Sequence, residues 1–272
     1  MDNYPILELS GTAEQLEIAV ALLAEHGLLG TVESETSDDL CAYFATSTVL
    51  GPIATELMQH LGSVRCRIAE PLEARDWQEE WKEGLDGFPL GSGFFVLPTW
   101  KEPVETDRTV LRLDPEQAFG TGAHETTRLA VALLEEHVAP GANVIDVGTG
   151  TAILAMVAAH LGAHSVLALE PDEAAADCAR ANVERNDLSE RIRIESRGWE
   201  TMGVIEANVV VANIVSAVLD QAVPHMWGTI LLSGLLVDEL DAFVDALPDD
   251  CVVKERRQEG EWAALVLERT RR

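Results

Sequence analysis

The pattern of apolar and polar positions divides the chain into two parts. The first part has short mixed elements, and its pattern predicts strand, helix, two strands and helix. These elements are predicted as strands over 6–9, 32–35 and 40–44 and helices over 12–26 and 52–61. Apolar residues recur at helical spacing in the first helix, and Gly27 supplies its stop. A small α+β unit is therefore expected.

The second part has apolar strands that alternate with helical patterns, after a segment over 76–84 that predicts a connecting helix. A strand over 94–97 enters this part. The main strands are predicted over 144–147, 165–170, 191–195, 207–212, 229–233, 251–255 and 262–268. Seven such strands predict a wound, largely parallel sheet with helices on both faces. We expect an α+β domain over 1–68, a linker over 69–90 and an α/β domain over 91–272.

Composition narrows the class of protein. The chain has 272 residues and is 47% hydrophobic, which allows a large domain and a small one. It holds no run of eighteen apolar residues, so no membrane span is predicted and a cytoplasmic protein is expected. The four cysteines lie far apart without a C-x-x-C pair, which argues against a disulfide framework and a metal site.

The formal net charge of −28 bears on the choice of partner. Such a surface repels phosphate backbones and attracts a cationic protein, so direct binding of nucleic acid is not expected and a basic protein substrate is. The first seventy residues are the most acidic, with eleven acidic side chains and two arginines. Adaptation to solubility or high salt, spread over the whole surface, explains the charge equally well. A monomer is expected.

A glycine turn follows the first strand of the wound sheet. In this turn, Gly148 and Gly150 let a ligand approach the backbone, and the next helix begins with unpaired N–H donors. A dinucleotide fingerprint requires a third glycine where Ile153 stands, and Asp146 before the turn suits a cofactor with an ammonium group. The turn predicts a nucleotide-type site, although a purely structural turn has the same pattern.

Polar residues at two further strand ends support this interpretation. A carboxylate at Glu170, which closes the next strand, can accept hydrogen bonds from both hydroxyls of an adenosine ribose. Asn213 ends a buried strand at the edge where open α/β sheets bind ligands, and its amide can orient a nucleophilic nitrogen. The alternatives are structural: an acid at a helix N-terminus for Glu170 and a strand-end cap for Asn213.

The segment before the wound sheet carries an unusual glycine-containing motif. Residues 114–127 combine two glycines and Phe119 with several hydroxyl or imidazole side chains. Such a segment can close over a bound methionine moiety and position an acceptor amine. Its cofactor-contacting candidates are Phe119, Gly120, Thr121 and Thr127. His124 is a candidate catalytic residue, or else a residue that starts the next helix.

These motifs together resemble the bacterial ribosomal protein L11 methyltransferase family over nearly the whole chain. The matching segments are Trp77–Trp81, Ala118–Thr127, the turn after Asp146, Val211–Ile214 and Leu232–Leu236. The resemblance implies a ferredoxin-like N-terminal domain that recognises the substrate, a linker helix and a Rossmann-like methyltransferase domain. It also implies transfer of methyl groups from S-adenosylmethionine to lysine side-chain and N-terminal amines of a ribosomal protein.

The family's cofactor contacts would fall on Thr127, Gly148, Glu170 and Asn213. Glu170 stands where aspartate is usual, and Ala152 stands where a third glycine is common. Two alternatives stay open. The first is a methyltransferase of this architecture that acts on another protein or on a small-molecule amine. The second is a non-catalytic module that binds S-adenosylmethionine.

Overall fold

The computed structural model describes residues 3–23, 26–33, 39–45, 48–61, 64–73, 87–114 and 120–270. The chain divides into two compact units, residues 1–85 and 86–272. The predicted connecting helix over 76–84 lies outside the described residues. Among the helices that are described, none is both long and apolar enough to cross a membrane.

The N-terminal unit is a four-stranded antiparallel sheet with two helices. Its elements are β1 (Asn3–Tyr4), β2 (Ile6–Ser10), α1 (Ala13–Leu23), β3 (Leu28–Glu33), β4 (Asp39–Phe44), α2 (Leu50–His60), β5 (Arg65–Ile68) and β6 (Leu72–Glu73). The sheet order is β3-β4-β2-β5, and β1 pairs separately with β6. This βαββαβ order is the ferredoxin-like fold. Alternate residues of β2, Leu7 and Leu9, are fully buried in the core of the unit.

Two features of this unit differ from the sequence prediction. The third strand, β3, begins at Leu28, four residues before the predicted start, because Leu28 already pairs with Phe44 at the end of β4. The edge strand β5 was not predicted at all. It carries the exposed side chains of Arg65 and Arg67 and therefore lacks a strong apolar alternation, as is common for edge strands.

The second unit begins with a three-stranded sheet, β7-β8-β9, followed by a seven-stranded one. Its elements are β7 (Phe88–Leu90), β8 (Phe94–Pro98), β9 (Thr109–Leu113), α3 (Glu125–His137), β10 (Asn143–Val147), α4 (Ile153–His160), β11 (Ser165–Leu169), α5 (Glu173–Arg185), β12 (Ile192–Glu195), β13 (Ile205–Asn213), α6 (Ser216–Ala222), β14 (Met226–Leu236), α7 (Leu240–Asp245), β15 (Val252–Glu259) and β16 (Trp262–Arg269). All seven predicted strands of the wound sheet are confirmed.

The large sheet has the order β12-β11-β10-β13-β14-β16-β15. Its first five strands are parallel, and β16 enters antiparallel between β14 and β15. Successive residues of β10 pack on opposite faces, Val144 in one apolar layer and Ile145 in the other. The carboxyl ends of β10, β11 and β13 therefore meet at one edge of a sheet buried on both sides, which is where open α/β folds bind ligands.

Candidate active site

The glycine turn, residues 148–152, follows β10 and leads into α4. Gly148 has a φ of +75°, and a Cβ there would lie 2.5 Å from Cγ2 of Ile214. Ala152 caps α4 with a φ of +67°, a left-handed conformation that is unfavourable for a residue with a Cβ. Its methyl group is fully buried. A glycine in place of Ala152 would remove the strain of the left-handed backbone, but it would also remove the buried methyl group and its apolar packing.

Backbone N–H groups of the glycine turn are hydrogen-bonded within the protein. Those of Gly148 and Thr149 donate to the carbonyl of Leu169, at 2.9 and 3.0 Å. The N–H of Gly150 donates to Oε2 of Glu170 at 2.9 Å. A phosphate group would have to displace these acceptors and lie against a carboxylate. The turn therefore disfavours a pyrophosphate, in agreement with the missing dinucleotide fingerprint.

Asp146 supplies a second carboxylate directly below the turn. It is fully buried, and its Oδ2 accepts a hydrogen bond from Oγ1 of Thr149 at 2.6 Å. Its Oδ1 is buried with no hydrogen-bond partner among the residues described. Burial raises the pKa of Asp146 to about 7, and the charge of Glu170 adds to this, against the lowering effects of Thr149 and the Ala155 backbone N–H. An unpartnered buried carboxylate oxygen fits a ligand with a cationic donor.

Glu170 follows β11 and is only 9% exposed. Its two oxygens accept backbone hydrogen bonds, Oε2 from Gly150 at 2.9 Å and Oε1 from Asp172 at 3.1 Å. A carboxylate has about four acceptor positions, so each oxygen keeps one for a further donor. Glu170 thus fixes the shape of the turn and retains the capacity to accept ribose hydroxyls.

The signature segment, residues 120–127, reaches the glycine turn from the other side. Oγ1 of Thr151 donates to the carbonyl of Gly120 at 2.7 Å. Thr121 uses its hydroxyl locally, accepting from the N–H of Ala123 at 3.4 Å. Phe119 lies outside the described residues. Of the predicted contacts that precede α3, Gly120 therefore lies beside the turn, whereas the hydroxyl of Thr121 bonds within its own segment.

His124 caps the N-terminus of α3. Its Nδ1 accepts from the N–H of Thr126 at 3.3 Å and lies 2.9 Å from the Thr126 hydroxyl. The ring packs edge-on against Trp262, with the centroids 5.1 Å apart. Nδ1 thus caps the helix, and Nε2 lies 3.9 Å from Oε2 of Glu125.

Asn213 and Thr127 meet across the site. Nδ2 of Asn213, at the end of β13, makes a long hydrogen bond of 3.5 Å to Oγ1 of Thr127, which is 1% exposed. Ser233 in β14 holds the same turn of α3 by donating to the carbonyl of Thr126 at 2.9 Å. With its nitrogen directed at Thr127, the amide of Asn213 keeps Oδ1 as an acceptor.

Two residues that sequence reasoning missed, Asn182 and Thr151, connect these parts. Asn182 is fully buried in α5 and donates to the carbonyl of Thr151 at 3.2 Å. The available signal was an asparagine, a poor helix former, on the apolar face of α5 beside Cys178 and Ala179.

A parallel sheet whose last strand enters antiparallel between two others is the arrangement of Rossmann-like methyltransferases, and an acidic turn that disfavours phosphate suits S-adenosylmethionine, the cofactor of this class. The family model described as Ribosomal protein L11 methyltransferase (PrmA) matches residues 7–270, and the chain belongs to that family.

Individual relatives agree with this assignment. The chain is 37% identical to the ribosomal protein L11 methyltransferase of Pelobacter propionicus, over 79% of this chain and 74% of that protein. It is 28% identical to the Streptococcus mutans protein of the same name, over 99% and 97%. The crystal structure of a ribosomal protein L11 methylase from Lactobacillus delbrueckii subsp. bulgaricus superposes with a TM-score of 0.63 at 29% identity, covering 69% of this chain and all of that one.

Gly148→Ala is expected to destabilise the protein by about 1–2 kcal/mol more than Gly141→Ala. Both glycines have positive φ, +75° and +85°, so both variants strain the backbone. Only the Cβ at 148 meets Ile214, whereas no atom lies within 4 Å of the one at 141. Denaturant unfolding measures the two losses, and equal losses would contradict the close packing of Ile214 on the turn.

The free energy of unfolding is expected to fall as the pH rises from about 4 to about 7. The folded state keeps a proton on Asp146 up to about pH 7, whereas the unfolded carboxyl releases it near ~3.9, so the folded state binds more protons in this window. The slope from this group is at most about 1.4 kcal/mol per pH unit. Denaturant unfolding at a series of pH values measures this dependence. Asp146→Asn should remove the contribution of this group to the slope, whereas the control Asp177→Asn, at an exposed position, should not. Parallel plots of stability against pH for wild type and Asp146→Asn would contradict the raised pKa of Asp146.

Proposed function

We propose that this chain transfers methyl groups from S-adenosylmethionine to lysine side-chain amines and the N-terminal amine of ribosomal protein L11. The observation that carries the proposal is the amide of Asn213, held by Thr127 at the sheet edge and joined through Ile214 to the glycine turn. Membership of the L11 methyltransferase family supports the substrate.

The proposed cofactor-binding residues are Asp146, Gly148, Gly150, Glu170, Thr127 and Asn213, together with Phe119, Gly120 and Thr121 of the preceding motif. When bound, S-adenosylmethionine supplies an electrophilic methyl group on a sulfonium sulfur. Oδ1 of Asp146 would accept a hydrogen bond from the ammonium group of the cofactor, whose positive charge would also favour the ionised carboxylate. Glu170 accepts from the ribose hydroxyls.

The acceptor amine must be neutral when it attacks. A lysine amine ordinarily titrates near ~10.4, and desolvation in a closed cleft favours its neutral form. Oδ1 of Asn213 accepts a hydrogen bond from the amine, which aligns the nitrogen with the methyl group and stabilises the positive charge that develops on it. Nε2 of His124 is the candidate for taking up the proton.

The N-terminal unit is the proposed docking surface for the substrate. Its eleven acidic side chains against two arginines in the first seventy residues favour a basic protein. We propose that the enzyme does not contact nucleic acid directly. We also propose that it acts as a monomer in the cytoplasm.

The decisive experiment incubates the full chain with methyl-labelled S-adenosylmethionine and purified ribosomal protein L11, in parallel with an extract of all ribosomal proteins. Peptide mass spectrometry is expected to find label on lysines and the N-terminal amine of L11. Label on a different protein would overturn the substrate. Cofactor binding by calorimetry without transfer to any component would overturn the activity and leave a binding module.

A further inference from the structure

We infer that Asn182 and Thr151 are positioning residues of the methyl-transfer site, which fix the glycine turn relative to the segments on either side of it. The inference rests on the proposed function, because it concerns the same cofactor site. Neither residue belongs to the cofactor-contacting set, and both are fully buried. They act through backbone atoms of the turn and of its neighbours.

Asn182 in α5 and Asn186, which caps the C-terminus of this helix, bind the end of β9 in the same way. Asn182 accepts from the N–H of Asp114 at 3.0 Å and donates to its carbonyl at 2.9 Å. Asn186 accepts from the N–H of Arg112 at 2.9 Å and donates to its carbonyl at 2.7 Å. Each amide thus takes the place of a neighbouring strand at the edge of the three-stranded sheet.

Only the first of these two amides reaches the cofactor turn. Nδ2 of Asn182 also donates to the carbonyl of Thr151 at 3.2 Å, and Thr151 in turn donates through Oγ1 to the carbonyl of Gly120 at 2.7 Å. The second donor of Asn186 goes instead to the carbonyl of Asn182 within the helix, at 2.7 Å. A continuous path therefore runs from Asp114 through Asn182 and Thr151 to the start of the signature segment.

The chemistry of this path requires an amide. Two N–H donors and one carbonyl acceptor on a short side chain satisfy two backbone carbonyls and one backbone N–H that lie away from water. Loss of the side chain leaves these groups without partners, which is costly in a buried place. Because Thr151 is hydrogen-bonded to Gly120 at the start of the signature segment, the position of Gly120 relative to the glycine turn depends on Thr151 and, through its carbonyl, on Asn182.

Asn186 provides a matched control, because it makes the same backbone pair without the link to the turn. Asn182→Ala and Asn186→Ala are compared by thermal unfolding and by titration with S-adenosylhomocysteine, at a temperature where both are folded. Similar losses of Tm are expected. The Kd is expected to rise about tenfold or more for Asn182→Ala and to stay within about twofold of wild type for Asn186→Ala.

Thr151→Val keeps the shape of the side chain and removes only the hydroxyl bonded to Gly120, so it tests the path if Asn182→Ala does not fold. It should raise the Kd about threefold to tenfold with little change in Tm. Equal Kd changes for Asn182→Ala and Asn186→Ala, or a wild-type Kd for Thr151→Val, would overturn the inference and leave the proposed function intact. A wild-type chain that fails to bind the probe would instead overturn the cofactor site itself.

Discussion

Replacing Asn213 with alanine is expected to lower kcat for methyl transfer to L11 by about 10²–10³-fold. The variant lacks the amide oxygen proposed to align the amine and to stabilise the charge that develops on its nitrogen. Thr127 and Ile214 still pack as before, so the fold and most of the cofactor contacts remain. Single-turnover kinetics with preloaded cofactor measure the chemical step directly.

Asn208→Ala is the control for this prediction. Asn208 lies on the same strand, β13, before Asn213, and its Oδ1 accepts a hydrogen bond from the N–H of Asn143 at 2.8 Å. Its kcat should match that of wild type. If Asn213→Ala retained wild-type single-turnover rates, Asn213 would be a structural strand-end cap, and the amine would have to be aligned by other groups.

Glu170→Ala is expected to weaken binding of S-adenosylmethionine about a hundredfold, because charge-assisted hydrogen bonds are each worth about 1.5–3 kcal/mol and tenfold corresponds to about 1.4 kcal/mol. The loss has two sources. The ribose loses its acceptor, and the N–H groups of Gly150 and Asp172 lose theirs, so the turn itself is less well held. Isothermal calorimetry on the purified chain gives the affinity.

Glu173→Ala removes a nearby carboxylate without touching the turn. This side chain begins α5, is 72% exposed and lies 3.5 Å from Arg180. Its affinity for the cofactor should equal that of wild type, which separates a specific contact from the loss of one negative charge. Unchanged calorimetric affinity in Glu170→Ala would remove Glu170 from the site.

Strands buried on both faces were predictable from the sequence because they are continuous apolar runs between turn signals. This holds for β10, β14 and β16, whereas the edge strand β15 alternates exposed and half-buried residues. Strands that lack an apolar pattern of their own, and that form only because they pair with distant segments, were not predictable. In the edge strand β5 only Cys66 is partly buried, and the other three residues are exposed. Strand β9 is held from one side by the side chains of Asn182 in α5 and of Asn186 directly after it. The periodicity of a short segment cannot predict such pairings, because the pairing partner lies more than fifty residues away in the sequence.

For the candidate site, the sequence predicted the chemical class of the cofactor but not the hydrogen bonds that join the segments of the site. Carboxylates, glycines and an amide at strand ends indicate a cofactor with cationic and hydroxyl groups, and the structure places Gly150 and Glu170 in direct contact. The alternative prediction that His124 starts a helix is confirmed, because His124 caps α3. The sequence did not show that Asn182 and Thr151 connect the turn to its neighbours. The residues around a buried asparagine in a helix do not reveal whether its side chain only fills space or forms hydrogen bonds to several segments.

Because the N–H groups of Gly148, Thr149 and Gly150 are bonded to Leu169 and Glu170, the turn keeps its shape without a ligand. Spent cofactor can leave and a fresh molecule can enter without the backbone losing and regaining its order. An enzyme that adds several methyl groups to one protein must make this exchange between additions. A preformed turn does not have to be rebuilt at each exchange, so ordering of this backbone adds no conformational cost to successive rounds of cofactor binding.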